Sequence, residues 1–154
     1  MRFRQRCSMI WLMPIVILID RLTKVWSTGL ADTVRAVPGI LNFRGVENYG
    51  ASFGLFYGRT GLIAAVVLIL NAAVAFCLFR YPNMPKAARA GLWLVLAGGL
   101  SNLYDRLRYG FVIDFLEFDF VRFPVFNMAD VSILAGCALC VLAVTRADRR
   151  RAHG

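Results

Sequence analysis

Apolar residues gather into four long runs, at 7–26, 61–79, 90–104 and 125–145. About 20 apolar residues in helix cross a bilayer, so these runs predict four transmembrane helices. The first is broken near its end by Asp20, Arg21 and Lys24, and the second, Gly61 to Phe79, holds Asn71 as its only strongly polar residue. The third is short, and Gly98, Gly99, Ser101, Asn102 and Asp105 crowd its lower half. The fourth carries Asn127 and Asp130 near its start. The first run follows Arg2, Arg4 and Arg6, as a signal peptide would. Three more spans come after it, with no small-x-small cleavage site followed by a soluble body, so it reads as an uncleaved first helix.

The connections differ in kind. Residues 80–89 are basic, hold two prolines, and read as a tight helix–helix turn. Residues 27–60 contain the Pro38-Gly39 turn signal, then Ile40 to Tyr49, where branched and aromatic residues alternate with polar ones. That pattern predicts short strands resting on the membrane. Residues 105–124, with Tyr104 before them, are rich in aromatics, including Tyr109, Phe111, Phe115, Phe118, Phe120 and Phe123. Such rings suit the headgroup region, and this segment reads as a second loop on the same side. The fold class is thus mainly α, a single integral membrane domain over 1–154 with a small β element.

Composition agrees. The hydrophobic fraction is 59% and mean hydropathy +0.62, more apolar surface than a soluble domain of 154 residues hides. Charge orients the bundle. The segments 1–6, 80–89 and 146–154 hold ten basic residues and one acidic, whereas the other side holds eight of each. The positive-inside rule makes the first side cytoplasmic, with both termini in. Topology and anionic lipid account for the basic tails, and a nucleic-acid partner has little support. Cys137 and Cys140 form a C-x-x-C, but inside a span they read as small hydrophobes. His153 is the only histidine, so neither a metal site nor a cofactor is expected.

Eight acidic residues remain on the outer side, several bordering hydrocarbon, where ionisable groups are costly and point to function. Asp32, Glu117 and Asp119 read as surface charge in loops. Asp20 and Lys24 stand one turn apart and can pair. Gly98, Asn102 and Asp105 share a face of the third helix, and Gly98 permits close backbone approach. Arg106 can form a bidentate pair with a carboxylate. Asn127 and Asp130 share a face at the start of the fourth helix, and Asp114 is flanked by apolar residues. Two carboxylates in a poorly hydrated site share a proton, which is aspartic-protease chemistry. Spacing alone does not show that two of them meet.

Five blocks, in order, resemble bacterial lipoprotein signal peptidase (signal peptidase II). Asp20-Arg21-Leu22-Thr23-Lys24 is similar to its D-x-x-T-K motif, and Asn48-Tyr49-Gly50-Ala51-Ser52-Phe53 to N-x-G-A-x-F. Gly98 to Arg106 resembles its G-N-x-x-D-R block, Gly110 to Phe115 its G-x-V-x-D-F block, and Phe123 to Asp130 its F-P-x-F-N-x-A-D block. Ser101, Glu47 and Tyr49 depart from the residues usual at their positions.

The resemblance implies an aspartyl endopeptidase of the bacterial inner membrane, with its site toward the periplasm. Its substrate would be a prolipoprotein bearing a diacylglyceryl cysteine, cut just before that cysteine, with membrane lipid the other partner and a monomeric state expected. Asp114 and Asp130 map onto the catalytic aspartates. Asn102, Asp105, Arg106 and Asn127 map onto supporting positions, with Asp105 and Arg106 bracing the third helix end. Asp20, Lys24, Asn48 and Gly98 map onto positions that shape the site. The stretch around Asn48 corresponds to a periplasmic β-cradle, and the 104–123 side to a short periplasmic helix and loop. Three other readings compete. One is a small proton-coupled transporter using intramembrane carboxylates. The second is a non-catalytic membrane scaffold, in which the aspartates could be replaced one at a time without loss of function. The third is a Ser/Lys protease built from Lys24 with Ser52 or Ser101.

Overall fold

The computed structural model describes residues 9–50 and 55–152. In chain order the elements are α1 (Leu12–Ser27), β1 (Val34–Val37), β2 (Leu41–Asn48), α2 (Thr60–Arg80), α3 (Lys86–Tyr109), β3 (Val112–Phe118) and α4 (Met128–Ala152). The strands form one antiparallel sheet in the order β1-β2-β3. Two helices are long and apolar enough to cross a membrane, Thr60–Arg80 and the Met128–Ala147 part of α4, with hydropathies of 2.8 and 2.1.

The helices are amphipathic in the inverse sense of a soluble protein. On α1, Asp20, Lys24 and Ser27 are buried, while Leu18, Leu22 and Val25 are 58%, 62% and 69% exposed. A protein surrounded by water hides such leucines and shows such charges. The arrangement is stable when the outer solvent is hydrocarbon and the bundle interior supplies the polar partners. A small apolar cluster of Leu78, Trp93 and Leu96 fastens α2 to α3, and Leu12 and Met13 of α1 pack on it.

Helices α3 and α4 make the closest approach. A methyl added at Gly136 would lie 2.5 Å from the Gly91 carbonyl oxygen, and one at Gly91 would lie 2.5 Å from that of Gly136. At Gly98 an added methyl would strike the Ala129 carbonyl and Ile133. Small residues along one seam let two helices touch backbone to backbone, as is usual where lipid gives no hydrophobic drive. The seam fixes the height of Asn102 on α3 against Asp130 on α4.

The sheet sits at the C-terminal ends of α1 and α3. Between Phe43 and Val46 the β2–β3 register shifts by a bulge. Gly45 lies in it, where an added Cβ would sit 3.0 Å from the Ser27 carbonyl, so the bulge docks β2 against the end of α1. The strands expected within 27–60 form, and the turn over 80–89 is short, with α2 ending at Arg80 and α3 starting at Lys86.

The segment 105–124 differs from expectation. It holds no separate short helix among the described residues. Helix α3 continues to Tyr109 and stops at Gly110, whose φ of 83° is left-handed and cheap only for glycine. The chain then enters β3, which pairs with β2 from Val112↔Asn48 to Phe118↔Leu41. Glu117 therefore lies in a strand and not a loop, where it accepts a hydrogen bond from Arg44 at 2.7 Å. Asp119 accepts from the Gly39 N–H and the Asn42 amide, closing the far end of the sheet.

Gly136→Ala is expected to cost about 1–3 kcal/mol by overpacking the seam, because the nearest atom it meets is the Gly91 backbone carbonyl oxygen, with the Val95 side chain and backbone nitrogen beside it. Gly61→Ala, which meets nothing within 4 Å, should leave stability unchanged or raise it. Thermal unfolding of the two variants in detergent checks the contrast.

Candidate active site

Asp114 is placed by β3 and Asp130 by the first turn of α4, and both line one cavity of about 320 Å³. Asn48, Asn102 and Arg106 also line it, and Ile133, Leu134 and Cys137 extend it along the apolar face of α4. Asn127 joins the two carboxylates. Its side-chain N–H donates to Asp114 Oδ1 at 2.6 Å, and its backbone N–H donates to Asp130 Oδ2 at 3.2 Å. Asn48 Nδ2 donates to Asp114 Oδ2 at 2.8 Å, and Asn102 Nδ2 donates to Asp130 Oδ1 at 2.8 Å. Each of the four carboxylate oxygens thus has a fixed neutral donor.

The three asparagines cannot turn round, because each amide oxygen is already engaged by a group that can only donate. Asn48 Oδ1 accepts from the Gly50 N–H at 3.0 Å, and Asn127 Oδ1 from the Asp130 N–H at 2.9 Å. Asn102 Oδ1 accepts from the Lys24 ammonium at 2.8 Å. Backbone amides and ammonium groups have no acceptor face, so the amide nitrogens must point at the aspartates.

Behind the pair lies a buried charge network. Lys24 has three N–H donors and uses them on Asn102 Oδ1, Asp105 Oδ2 at 2.8 Å and Asp20 Oδ2 at 2.9 Å. Asp20 and Asp105 are fully buried, as is Lys24. Arg21 bridges the same two carboxylates, donating from Nη1 to Asp105 and from Nη2 to Asp20. Asp20 also accepts from the Ser101 hydroxyl at 2.6 Å and the Ala129 N–H at 2.8 Å. The last bond caps the start of the helix that carries Asp130.

Every site residue expected from the sequence and placed in the structure lies in or beside this assembly. One expected pairing does not form, and one competing reading finds no pair. Arg106 makes no carboxylate pair among the described residues. It donates to the Asn102 and Gly50 carbonyls, and Lys24 and Arg21 from α1 brace Asp105 instead. Adjacent residues on a helix point in different directions, so Arg106 faces the cavity while Asp105 faces α1. Ser101 bonds Asp20 and not Lys24, which leaves no Ser/Lys pair there. Ala51, Ser52 and Phe53 lie outside the described residues.

Sequence reasoning gave Arg21 no role, and gave Ser101 one only in the competing Ser/Lys reading. Arg21 fills a variable place inside its motif, and Ser101 otherwise stood out as a departure from the family pattern. The other two departures are partners of each other, since the Tyr49 hydroxyl donates to Glu47 at 2.7 Å.

The pair has no cation as a direct partner among the described residues. Burial, and then the charge of Asp130, push the Asp114 carboxyl from 3.8 up to about 7. A proton shared between the two groups at neutral pH is therefore natural.

Comparison with known proteins gives one answer. Residues 12–146 match the family model described as Signal peptidase (SPase) II. A "Lipoprotein signal peptidase" of Clostridium acetobutylicum is 37% identical over 141 residues, covering 88% of this chain and 92% of that one. Another, from Desulfitobacterium hafniense, is 36% identical over 146 residues, covering 92% and 96%. A solved bacterial membrane enzyme, determined by the in meso method, superposes with a TM-score of 0.82 at 26% identity. The match covers 89% of this chain and 87% of that one.

Lys24→Met is expected to destabilise the fold by about 3–5 kcal/mol, since it leaves Asp20 and Asp105 buried with one cation between them. Chemical or thermal unfolding in detergent measures it. Arg44→Ala, at the exposed Glu117 pair, should cost no more than about 1 kcal/mol.

Proposed function

Since the chain belongs to the signal peptidase II family, whose members are aspartic peptidases of the membrane, we propose that Asp114 and Asp130 are its reacting pair, acting on diacylglyceryl-modified prolipoproteins. The observation that carries this is the single cavity on which both carboxylates open, with Asn127 bonded to each. A proton-coupled transporter does not belong to this family, so that reading is set aside.

Hydrolysis needs one proton between the two groups. The ionised carboxylate takes a proton from a water molecule, and that oxygen attacks the carbonyl carbon of the residue before the lipidated cysteine. The protonated carboxyl gives its proton to the carbonyl oxygen, forming a neutral tetrahedral diol. Collapse breaks the C–N bond, the proton returns by the carboxyls to the cysteine nitrogen, and the pair regains its starting charge. The pair acts as one coupled unit, so neither aspartate is assigned as base. The asparagines hold both carboxyls in place through this exchange because their donors are neutral and serve either protonation state.

The substrate is an apolar helix with two acyl chains, and it arrives from within the bilayer. The cavity suits that approach. Its polar end holds the aspartates, and its other wall is the α4 face of Ile133, Leu134 and Cys137, with Leu134 73% exposed to the surrounding lipid. In this reading all four helices cross the inner membrane, both termini are cytoplasmic, and the sheet lies on the periplasmic side over the scissile bond. Exposed Phe120, Val121 and Phe123 beside the cavity then sit at headgroup depth. In this reading the chain works as a monomer.

The direct test is incubation of the purified protein with a diacylglyceryl-modified prolipoprotein, followed by mass. A product beginning at the lipidated cysteine is expected, and intact substrate beside an active control enzyme would refute the reading. Asp114→Asn and Asp130→Asn should each lower turnover roughly a thousandfold or more. The Asp114 carboxyl titrates higher in the folded chain than in the unfolded one, so wild-type stability falls as pH rises from about 4 to about 7. Asp114→Asn loses that dependence. Its melting temperature relative to wild type should therefore climb between pH 5 and pH 8. Activity follows the same proton, and kcat/KM is expected to decline above a pH of about 7 as the pair loses it.

A further inference from the structure

The buried network behind the site holds two aspartates and two cations. The second cation, Arg21, has no part in the chemistry just described. It is only partly buried, with 23% of its side chain exposed, and its guanidinium lies 5.2 Å from the centre of the Tyr104 ring. Yet its two terminal nitrogens reach Asp105, Asp20 and the Ser101 carbonyl. Those contacts tie α1 to the turn of α3 that carries Asn102.

Lys24 alone cannot serve this cluster. It has three N–H groups, and one of them stays on Asn102 Oδ1 at 2.8 Å. Of the two bonds that keep the Asn102 nitrogen on Asp130, this is the shorter and the charged one, with Asn127 Nδ2 at 3.2 Å the other. Two fully buried carboxylates facing a single ammonium carry an uncompensated negative charge, and they draw that ammonium toward themselves. The geometry points to Arg21 as a positioning residue that neutralises the second carboxylate, and so frees the third Lys24 N–H to hold Asn102 in the orientation that serves Asp130. This inference rests on the assignment of Asp114 and Asp130 as the reacting pair. Ser101 assists by giving Asp20 a neutral donor at 2.6 Å.

Removal of Arg21 has two consequences with different signatures. Asn102 loses the stronger of its two anchors, so Asp130 is held less well and chemistry slows, while substrate binding, made elsewhere in the cavity, is not weakened. The site also becomes one charge more negative, which makes a proton on Asp114 harder to remove. The charged groups around the pair are Asp20, Arg21 and Lys24 from α1, Asp105 and Arg106 from α3, and the two aspartates themselves on β3 and α4. The β2 neighbour, Asn48, is neutral. Between wild type and Arg21→Met only the charge at Arg21 changes.

The test compares full-length wild type, Arg21→Met, Arg21→Lys and Asp114→Asn on the lipidated prolipoprotein across pH. Arg21→Met is expected to lower kcat roughly tenfold with KM within about twofold. It should also move the alkaline limb of kcat/KM up by about half a pH unit or more. Arg21→Lys keeps the charge and should recover most of kcat, with the limb where wild type has it. Wild-type kcat and limb in Arg21→Met overturn the inference. So does an Arg21→Lys variant as impaired and as shifted as Arg21→Met, because a packing or hydrogen-bonding role predicts that result. If Arg21→Met does not fold, Arg21→Lys decides alone: a fall in kcat beyond about threefold or a moved limb overturns the inference. Wild type cleaving while Asp114→Asn does not confirms the reacting pair independently of Arg21. Should Asp114→Asn also cleave, the reacting-pair reading fails, and Arg21 is then judged without turnover. Carboxyl ¹³C titration of Asp114 in Arg21→Met should give a midpoint above that of wild type, and an unmoved midpoint overturns the inference.

Discussion

One ammonium group sets the rest of the site. Lys24 is fully buried, and all three of its N–H donors are spent, on Asp20, Asp105 and Asn102. A lysine in this position is tolerable only while every donor is satisfied and its charge is matched. From it, constraint passes outward in two directions. Through Asp20 it reaches the Ala129 N–H, which fixes where α4 begins and hence where Asp130 sits. Through Asn102 it reaches the Asp130 carboxylate and, by way of Asn127, the Asp114 carboxylate. The glycine seam between α3 and α4 makes this possible, since a single added methyl at Gly98 would push Asn102 away from both partners.

The two kinds of aspartate differ in what faces them. Asp20 and Asp105 meet cations and close-packed donors, so they are structural charges. Asp114 and Asp130 meet amides, and an amide hydrogen bond stabilises a carboxylate less than an ion pair does. The proposed reacting pair is thereby left unsatisfied in charge though satisfied in hydrogen bonds. Such a pair costs stability, and that cost keeps a proton within reach at neutral pH. The paired aspartates and the glycine seam carry the fold, which leaves the cavity free to remain frustrated.

Much of this was legible in the sequence, for identifiable reasons. Helical spacing gives Asp20 with Lys24, and Gly98 with Asn102 and Asp105, since those relations are local and periodic. The four apolar runs gave the helices, although helix α3 outlasts its run, since Arg21 and Lys24 of α1 receive Asp105 and the Gly50 carbonyl receives Arg106. The third strand was not legible. Val112 to Phe118 has the composition of a strand, but its role depends on pairing with β2, more than sixty residues away. Arg21 was missed for the same reason, because its partners lie about eighty residues downstream. Arg106 was misread because a carboxylate beside it in sequence is not beside it in space. Asn48 was placed at the site by motif alone, and only the β2–β3 register brings its amide onto Asp114.

The location of the pair follows from these same constraints. A carboxylate pair at mid-bilayer has no backbone amides to spare, because a continuous helix consumes its own. At the end of a helix, and beside a strand, unspent N–H groups exist. The site draws on them: the Asn127 N–H bonds Asp130, and the Asp130 N–H holds the Asn127 side chain. The end of the central strand β2, next to the bundle, adds Asn48 without further helix. The chain thus places its costly charges where backbone donors are free and the apolar wall of α4 still begins within the same cavity. The proposed substrate, half lipid and half peptide, would meet both environments only at that boundary.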